Sequence, residues 1–288
     1  MKLELQLFGL PATDYVPVVR RADELGFESV WISDHLVTPI EYGKVYPYTD
    51  SGDPGFRGET PLVDVPVMLG HLAAVTSRVK LGAGVYVLPM RRPVPVALAW
   101  STLQAVSEGR AVLGIGVGWM REEFDAVGED FANRGSRTDE MLDIIDGLWT
   151  GRPFSYRGRH YSLGPVQMGG TPPTPIPKVF GGHGDRSLRR AAERGDGWFG
   201  PNVKIAETVR LRDRIEVLRA AAGRGSVPFS YHVRLAGGQD VANAARYRDA
   251  GFHHLVLSPF AALPPGADLA GRLAALDELA ERLATVRD

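Results

Sequence analysis

The chain has no cysteine, so neither disulfide bonds nor thiolate chemistry can be part of its function. It also lacks an excess of charge, because 33 basic and 34 acidic residues give a formal net charge of −1. Such a balance produces no bulk field that would favour nucleic acid or a membrane surface. No apolar run approaches the roughly 20 residues that cross a bilayer, and no signal-like apolar segment follows Met1. We therefore expect a soluble cytoplasmic protein.

Glycine and proline are frequent, at 34 and 21 residues, and they fall mostly between periodic segments. Eight apolar, strand-like segments alternate with helical patterns from Lys2 to Val286. This rhythm predicts an α/β fold, a single (β/α)8 TIM barrel over residues 1–288 without a domain linker. Two irregular stretches, about 36–61 and 151–177, are expected to be loop insertions at the C-terminal face. The first is long enough to act as a functional lid.

The stretch 79–119 organises the rest of the chain. It predicts a strand over 79–88 that Gly82 and Gly84 interrupt, a helix over 93–106, and a second strand over 110–115. The glycine-rich end of that second strand carries Gly118 and Trp119. Since ligands of (β/α)8 barrels bind at the C-terminal ends of the strands, these residues are placed at the expected ligand face.

The glycines 114, 116 and 118 invite comparison with the dinucleotide-binding fingerprint. That fingerprint requires G-x-G-x-x-G, and Trp119 stands where the third glycine belongs. The Rossmann interpretation therefore fails, and the spacing alone favours a tight turn at the end of a strand.

Asp34 and His35 follow the second predicted strand, at the same face of the barrel. Histidine changes its protonation state most readily near neutral pH, and a neighbouring carboxylate could orient it or hold its charge. The alternative is a pair that only caps the loop. No metal site is expected, because His253 and His254 are adjacent and point apart on a strand, and the loop histidines have no ligand spacing.

Gly181, Gly182, His183 and Gly184 precede a predicted helix that begins near Asp185. Glycines allow backbone N–H groups to approach a phosphate closely, and a helix N-terminus adds a favourable field. Late loops of barrels often bind phosphate. The sequence thus indicates an anion-binding loop, with a flexible turn as the alternative.

Taken together, these segments resemble the bacterial luciferase-like flavin and deazaflavin oxidoreductases, and most closely their predicted coenzyme F420-dependent branch. The resembling segments are ADELGFESVWISDH, SRVKLGAGVYVLPMRRPVPVA, GRAVLGIGVGWMREEFDAVG, FANRGSRTDEMLDIIDGLW and FGGHGDRSLRRAAERGDGWF. They cover most of residues 20–200, whereas the last third resembles the family mainly by its strand–helix rhythm.

The resemblance implies a cofactor site in the barrel mouth. The ring would lie with its edge near Asp34 and the end of the third strand, where the family's non-proline cis peptide would fall at Gly84–Val85. Gly181, Gly182 and His183 would hold the phosphate, and Gly118 and Trp119 would also contact the cofactor. The resemblance further implies a homodimer.

One departure from the family bears on the substrate. The F420-dependent sugar-phosphate dehydrogenases of this family accompany the histidine that matches His35 with a tryptophan and a glutamate, and here Pro39 and Trp119 stand in those places. A sugar phosphate is therefore not expected, and Trp119 as an apolar wall suggests a small, fairly apolar organic substrate.

The resemblance leads to an expected function. The protein would be an F420-dependent oxidoreductase that transfers a hydride between ring carbon C5 and the substrate. His35 would be the general acid or base, and Asp34 would orient it or contact the cofactor ring. Glu122, the nearest carboxylate beyond Trp119, is a further candidate catalytic residue. One alternative is an FMN-dependent luciferase-like monooxygenase, and another is a flavin-binding protein without turnover.

Overall fold

The computed structural model describes residues 1–43, 45–49, 51–264 and 266–287. Its strands are β1 (Lys2–Leu7), β2 (Ser29–Ile32), β3 (Lys80–Ala83), β4 (Tyr86–Val87), β5 (Ala111–Gly116), β6 (Phe154–Arg157), β7 (Ser162–Val166), β8 (Lys178–Gly181), β9 (Gly197–Phe199), β10 (Ser230–Arg234) and β11 (His254–Leu257). Its α-helices are α1 (Tyr15–Glu24), α2 (Val65–Ala73), α3 (Pro93–Val106), α4 (Arg121–Ala126), α5 (Arg134–Trp149), α6 (Asp185–Arg194), α7 (Ile205–Ala221), α8 (Val241–Asp249) and α9 (Leu269–Arg282). Short 3₁₀ helices cover Ala12–Asp14, Leu88–Met90, Pro259–Ala262 and Ala284–Val286.

The main sheet is a closed parallel barrel, which confirms the predicted TIM barrel. Its strands follow the order β3, β2, β1, β11, β10, β9, β8, β5 and β4, and β3 also pairs with β5 to close the ring. Strands β3 and β4 are two parts of one barrel strand that is interrupted at Gly84 and Val85. The C-terminal ends of all eight barrel strands therefore open at one face.

The helices bury one face each against the outside of the barrel. In α1, Tyr15, Val18, Val19 and Ala22 form a buried stripe at helical spacing. Strand β5 is buried along its whole length, as expected for a parallel strand that is covered on both sides. The main core accordingly lies between the ring of helices and the ring of strands.

The two insertions differ from each other. Residues 151–177 were expected to be irregular, but they contain the antiparallel pair β6 and β7. The described residues of 36–61 contain no helix or strand. None of the described helices has both the length and the apolar character needed to cross a lipid bilayer.

Candidate active site

A cavity of about 970 Å³ opens at the C-terminal ends of the strands. It is lined from several sides of the barrel, by Gln6, His35, Val85, Trp119, His183 and Arg234 among others. Its volume lies at the upper end of the range for small-molecule and cofactor sites. The cavity therefore has the position and the size that the barrel fold predicts for a ligand site.

The floor of the cavity is formed where β3 gives way to β4. The peptide bond between Gly84 and Val85 is cis, as the resemblance implied. The Val85 side chain packs between two neighbouring strands, because a Cβ atom on Gly116 or Gly181 would lie 2.5 Å or 2.7 Å from its methyl groups. Gly116 and Gly181 are therefore required by packing against Val85, whatever else Gly181 contacts.

The His35 imidazole is held by a buried carboxylate from α4. Its Nδ1 lies 3.0 Å from Oε2 of Glu123, whose side chain is only 3% exposed. The other carboxylate oxygen, Oε1, accepts a hydrogen bond of 2.7 Å from the backbone N–H of Leu36. Within the part of the chain that the structure describes, the second ring nitrogen of His35 forms no hydrogen bond, so it is left for a ligand.

Asp34 has a different partner from the one expected. Its carboxylate is fully buried and accepts two hydrogen bonds from the Arg91 guanidinium, at 2.5 Å and 2.8 Å, and one from the Val87 N–H at 2.8 Å. Burial raises the pKa of Asp34, and the charge of Arg91 opposes that rise. The expectation that Asp34 orients His35 is therefore wrong, since its oxygens are already bound to Arg91 and Val87.

Glu122 lies beside Glu123 on α4 but serves a different neighbour. Its Oε1 accepts a hydrogen bond of 3.2 Å from the N–H of Gly43 in the first insertion. Adjacent helical residues point about 100° apart, which explains why only one of the two carboxylates reaches His35. The predicted carboxylate was Glu122, whereas the structure brings Glu123 to the histidine.

Aromatic side chains cross the mouth of the cavity from Trp119 to His183. Tyr46 packs edge-on against Trp119 at 5.0 Å and against Tyr48 at 5.2 Å, and Tyr48 packs against His183 at 5.2 Å. Both tyrosines belong to the first insertion. This loop therefore covers the site in the structure, and its opening and closing stay a prediction.

The loop before α6 has the features of an anion cradle. Gly182 has a φ of +108°, which favours glycine, and a Cβ on Gly184 would meet no atom within 4 Å. Ser187 lies in the first turn of α6 and also lines the cavity. Arg134 lines the same cavity, and its guanidinium is bound by the carbonyls of Gly118 and Phe131. These groups form a donor set that fits a phosphate.

A polar cluster lies inside the barrel, centred on the fully buried Glu4. Its carboxylate accepts hydrogen bonds from Nδ1 of His232, Nδ1 of His254 and Nε1 of Trp31, at 2.8 to 3.0 Å. Burial alone would raise the pKa of Glu4, but the charge and hydrogen bonds of the two histidines hold it well below its usual range. The three side chains are close enough to hold a metal ion, yet each histidine already directs Nδ1 to Glu4, so the arrangement is a hydrogen-bonded cluster.

The chain is similar to several known proteins. A model of the luciferase-like monooxygenase family matches residues 8–286. An uncharacterized protein of Mycobacterium tuberculosis is 35% identical over 274 residues, which are 94% of this chain and 94% of that protein. The F420-dependent glucose-6-phosphate dehydrogenase of Kineococcus radiotolerans is 31% identical over 236 residues, which are 78% of this chain and 64% of that enzyme.

The fold also matches a solved structure over nearly its whole length. The crystal structure of monooxygenase RslO1 from Streptomyces bottropensis superposes with a TM-score of 0.80 and covers 99% of both chains. The two sequences are 19% identical. At that identity the likeness shows the shared fold and not a shared substrate or cofactor.

Proposed function

The chain belongs to the luciferase-like monooxygenase family, and we propose that it is a coenzyme F420-dependent oxidoreductase acting on a small organic substrate. The observation that carries this proposal is the His35–Glu123 pair on the wall of the cavity, with one imidazole nitrogen left for a ligand. Support for F420 comes from the relative named as an F420-dependent dehydrogenase.

The cavity residues fit the cofactor in two places. Gly182, Gly184 and Ser187 would hold the phosphate, and Arg134 would add a positive charge to that end. The backbone at Gly84 and Val85 would lie against the ring, with Trp119 and Gly118 nearby. When bound, F420 supplies a ring carbon that gives or accepts a hydride, and it lacks the nitrogen with which flavins support oxygen activation.

His35 would handle the proton that accompanies hydride transfer. When an alcohol carbon loses a hydride, its hydroxyl must also lose a proton, and in the reverse direction the carbonyl oxygen must gain one. His35 can accept or donate this proton at Nε2, because Glu123 holds Nδ1 and stabilises the imidazolium. Asp34 would act on the site through Arg91 and the backbone of Val87.

Anaerobic turnover tests this proposal directly. The protein would be mixed with oxidised F420 and a panel of small alcohols, and with reduced F420 and the matching carbonyl compounds, while the absorbance of the oxidised cofactor is followed. We expect at least one pair to be interconverted. Substrate-dependent oxygen uptake with FMN, and no reaction with F420, would support the FMN-dependent monooxygenase instead.

Two other proposals have separate tests. Tight cofactor binding without turnover on any substrate would favour a flavin-binding protein that has lost its activity. The homodimer that the family resemblance implies is tested by light scattering of the purified protein, where a monomeric mass at micromolar concentration would contradict it.

A further inference from the structure

Arg234 places a positive charge deep in the cavity without a carboxylate beside it. It is the last residue of β10, and its Nη2 donates a hydrogen bond of 3.1 Å to Oε1 of Gln6. Its Nε atom is buried without a partner, and no Asp or Glu among the described residues lies within 4.0 Å of the guanidinium. Its Cζ lies 5.6 Å from the centre of the Phe199 ring.

This charge cannot be relieved by losing a proton. Burial lowers the pKa of Arg234, but a guanidinium begins from so high a pKa that it stays protonated in proteins. A buried charge without a counter-ion destabilises the folded chain. A cation in this position therefore calls for a compensating group, and the protein itself does not supply one.

The other charged groups that line the cavity are accounted for. Asp34 is paired with Arg91, Arg272 with Asp14, and His35 with Glu123. Arg134 also lacks a carboxylate within salt-bridge distance among the described residues, but it lies at the end assigned to the cofactor phosphate. Arg234 likewise lacks a carboxylate partner among the described residues, and it belongs to another part of the wall, at the end of β10.

We propose that Arg234 binds a carboxylate of the substrate, so that this enzyme acts on organic monoanions. The planar guanidinium presents paired donors that match a carboxylate. A single cation among Phe199, Tyr46 and Tyr48 suits one negative charge on an otherwise apolar molecule better than a phosphate dianion. The inference rests on the proposed function and narrows it, because the sequence alone indicated a fairly apolar substrate.

Arg234 lies beside the part of the cavity where a substrate would meet the proposed cofactor ring. The amide of Gln6 joins Arg234 to the carbonyl of Gly84, to which its Nε2 donates at 3.1 Å. A carboxylate held by Arg234 would therefore lie next to the floor of the cavity. Strand β10 is separated from β2, which leads to His35, by β11 and β1, so the two groups approach a bound molecule from different sides.

The test uses two probes of the same shape that differ in charge, naphthoate and its uncharged amide, naphthamide. Their affinities would be measured by equilibrium titration near neutral pH, with and without saturating F420. The variants are Arg234→Gln, which removes the charge, and Arg234→Lys, which keeps the charge but lacks the paired planar donors of a guanidinium. Arg210→Gln is the control for net charge, because the Arg210 side chain is 76% exposed.

We expect wild-type protein to bind naphthoate at least about tenfold more tightly than naphthamide, a difference that one charged contact readily supplies. Arg234→Gln should abolish the preference, Arg234→Lys should keep part of it, and Arg210→Gln should leave it unchanged. Thermal unfolding is a second measurement. Arg234→Gln should melt at the same or a higher temperature than wild type, because it removes an uncompensated charge.

Three results would overturn the inference. The first is equal affinity for the two probes in wild-type protein, including no measurable binding of either. The second is a preference that survives in Arg234→Gln. The third is a loss of F420 affinity in Arg234→Gln with the naphthoate preference retained, which would assign Arg234 to the cofactor. Because the probe titration without cofactor needs no turnover, its outcome is independent of whether the F420 proposal fails.

Discussion

Glu123 holds His35 through a hydrogen bond of 3.0 Å between two residues that are 88 positions apart in the chain. The second oxygen of the same carboxylate binds the N–H of Leu36, next to the histidine. One buried carboxylate thus fixes both the imidazole and the backbone that carries it. This arrangement orients a single histidine nitrogen toward the cavity and supplies the charge that would stabilise the protonated ring.

The first prediction concerns this pair. His35→Ala should lower turnover by about 10²–10⁴-fold, while F420 affinity changes by about tenfold or less, as expected from the loss of one hydrogen bond. Glu123→Gln should also lower turnover and shift the pH profile, because a neutral amide cannot stabilise the imidazolium. Glu122→Gln is the matched control and should behave as wild type. A wild-type rate and pH profile in His35→Ala would remove the histidine from the mechanism.

The second prediction concerns the packing of Val85. Gly116→Ala would place a methyl group 2.5 Å from a Val85 methyl, so it should destabilise the fold by about 1–3 kcal/mol, as overpacking usually does. Val85→Ala removes the atoms that clash. In a double-mutant cycle followed by denaturant unfolding, Gly116→Ala should therefore cost much less in the Val85→Ala background. Equal costs in both backgrounds would show that Val85 does not require the glycine.

The third prediction concerns acid stability. The pKa of Glu4 lies below its ordinary value of 4.5 in the folded state, so as pH falls below that value the unfolded chain takes up a proton that the folded chain does not. The contribution of Glu4 to stability is therefore present above pH 4.5 and is lost progressively below it. Glu4→Gln should lower the free energy of unfolding near neutral pH by about 3 kcal/mol, with a smaller effect in acid. The comparison is made by urea unfolding at several pH values, and a constant difference would contradict it.

The fourth prediction concerns the first insertion, whose Tyr46 and Tyr48 cover the cavity. If the loop acts as a lid, saturating F420 together with naphthoate should slow amide hydrogen exchange between residues 43 and 58. Exchange over α7, which contributes no residue to the cavity lining, provides an internal reference. Unchanged exchange in the loop would count against a lid.

Much of the fold could be predicted from local pattern. The bounds of α3 were predicted as the structure has them, because a proline at its start and apolar residues at helical spacing define it. The β6–β7 hairpin was missed, since both strands are short and partly exposed, and β7 contains Gly164 and Pro165. The Gly84–Val85 cis peptide followed only from the family resemblance.

The candidate site was predictable in position but not in pairing. His35 and the glycines fall at strand ends, which the alternation of elements locates. Which carboxylate reaches His35 depends on the helical phase of α4, and the pair Glu122 and Glu123 offers no local signal to choose between them. Arg234 and Glu4 were missed for a related reason. The register between distant strands brings His232 and His254 to Glu4 and leaves Arg234 without a carboxylate among the described residues.

A paired titration of the protein with F420 and FMN under the same conditions tests most directly whether the cavity binds F420 in preference to FMN. Both cofactors have a similar ring and a phosphate, whereas F420 carries a longer charged tail that basic residues near the cavity mouth can contact. We predict that F420 binds at least tenfold more tightly, a difference of about 1.4 kcal/mol. Equal affinities, or tighter binding of FMN, would contradict the cofactor assignment while leaving the barrel and the His35–Glu123 pair in place.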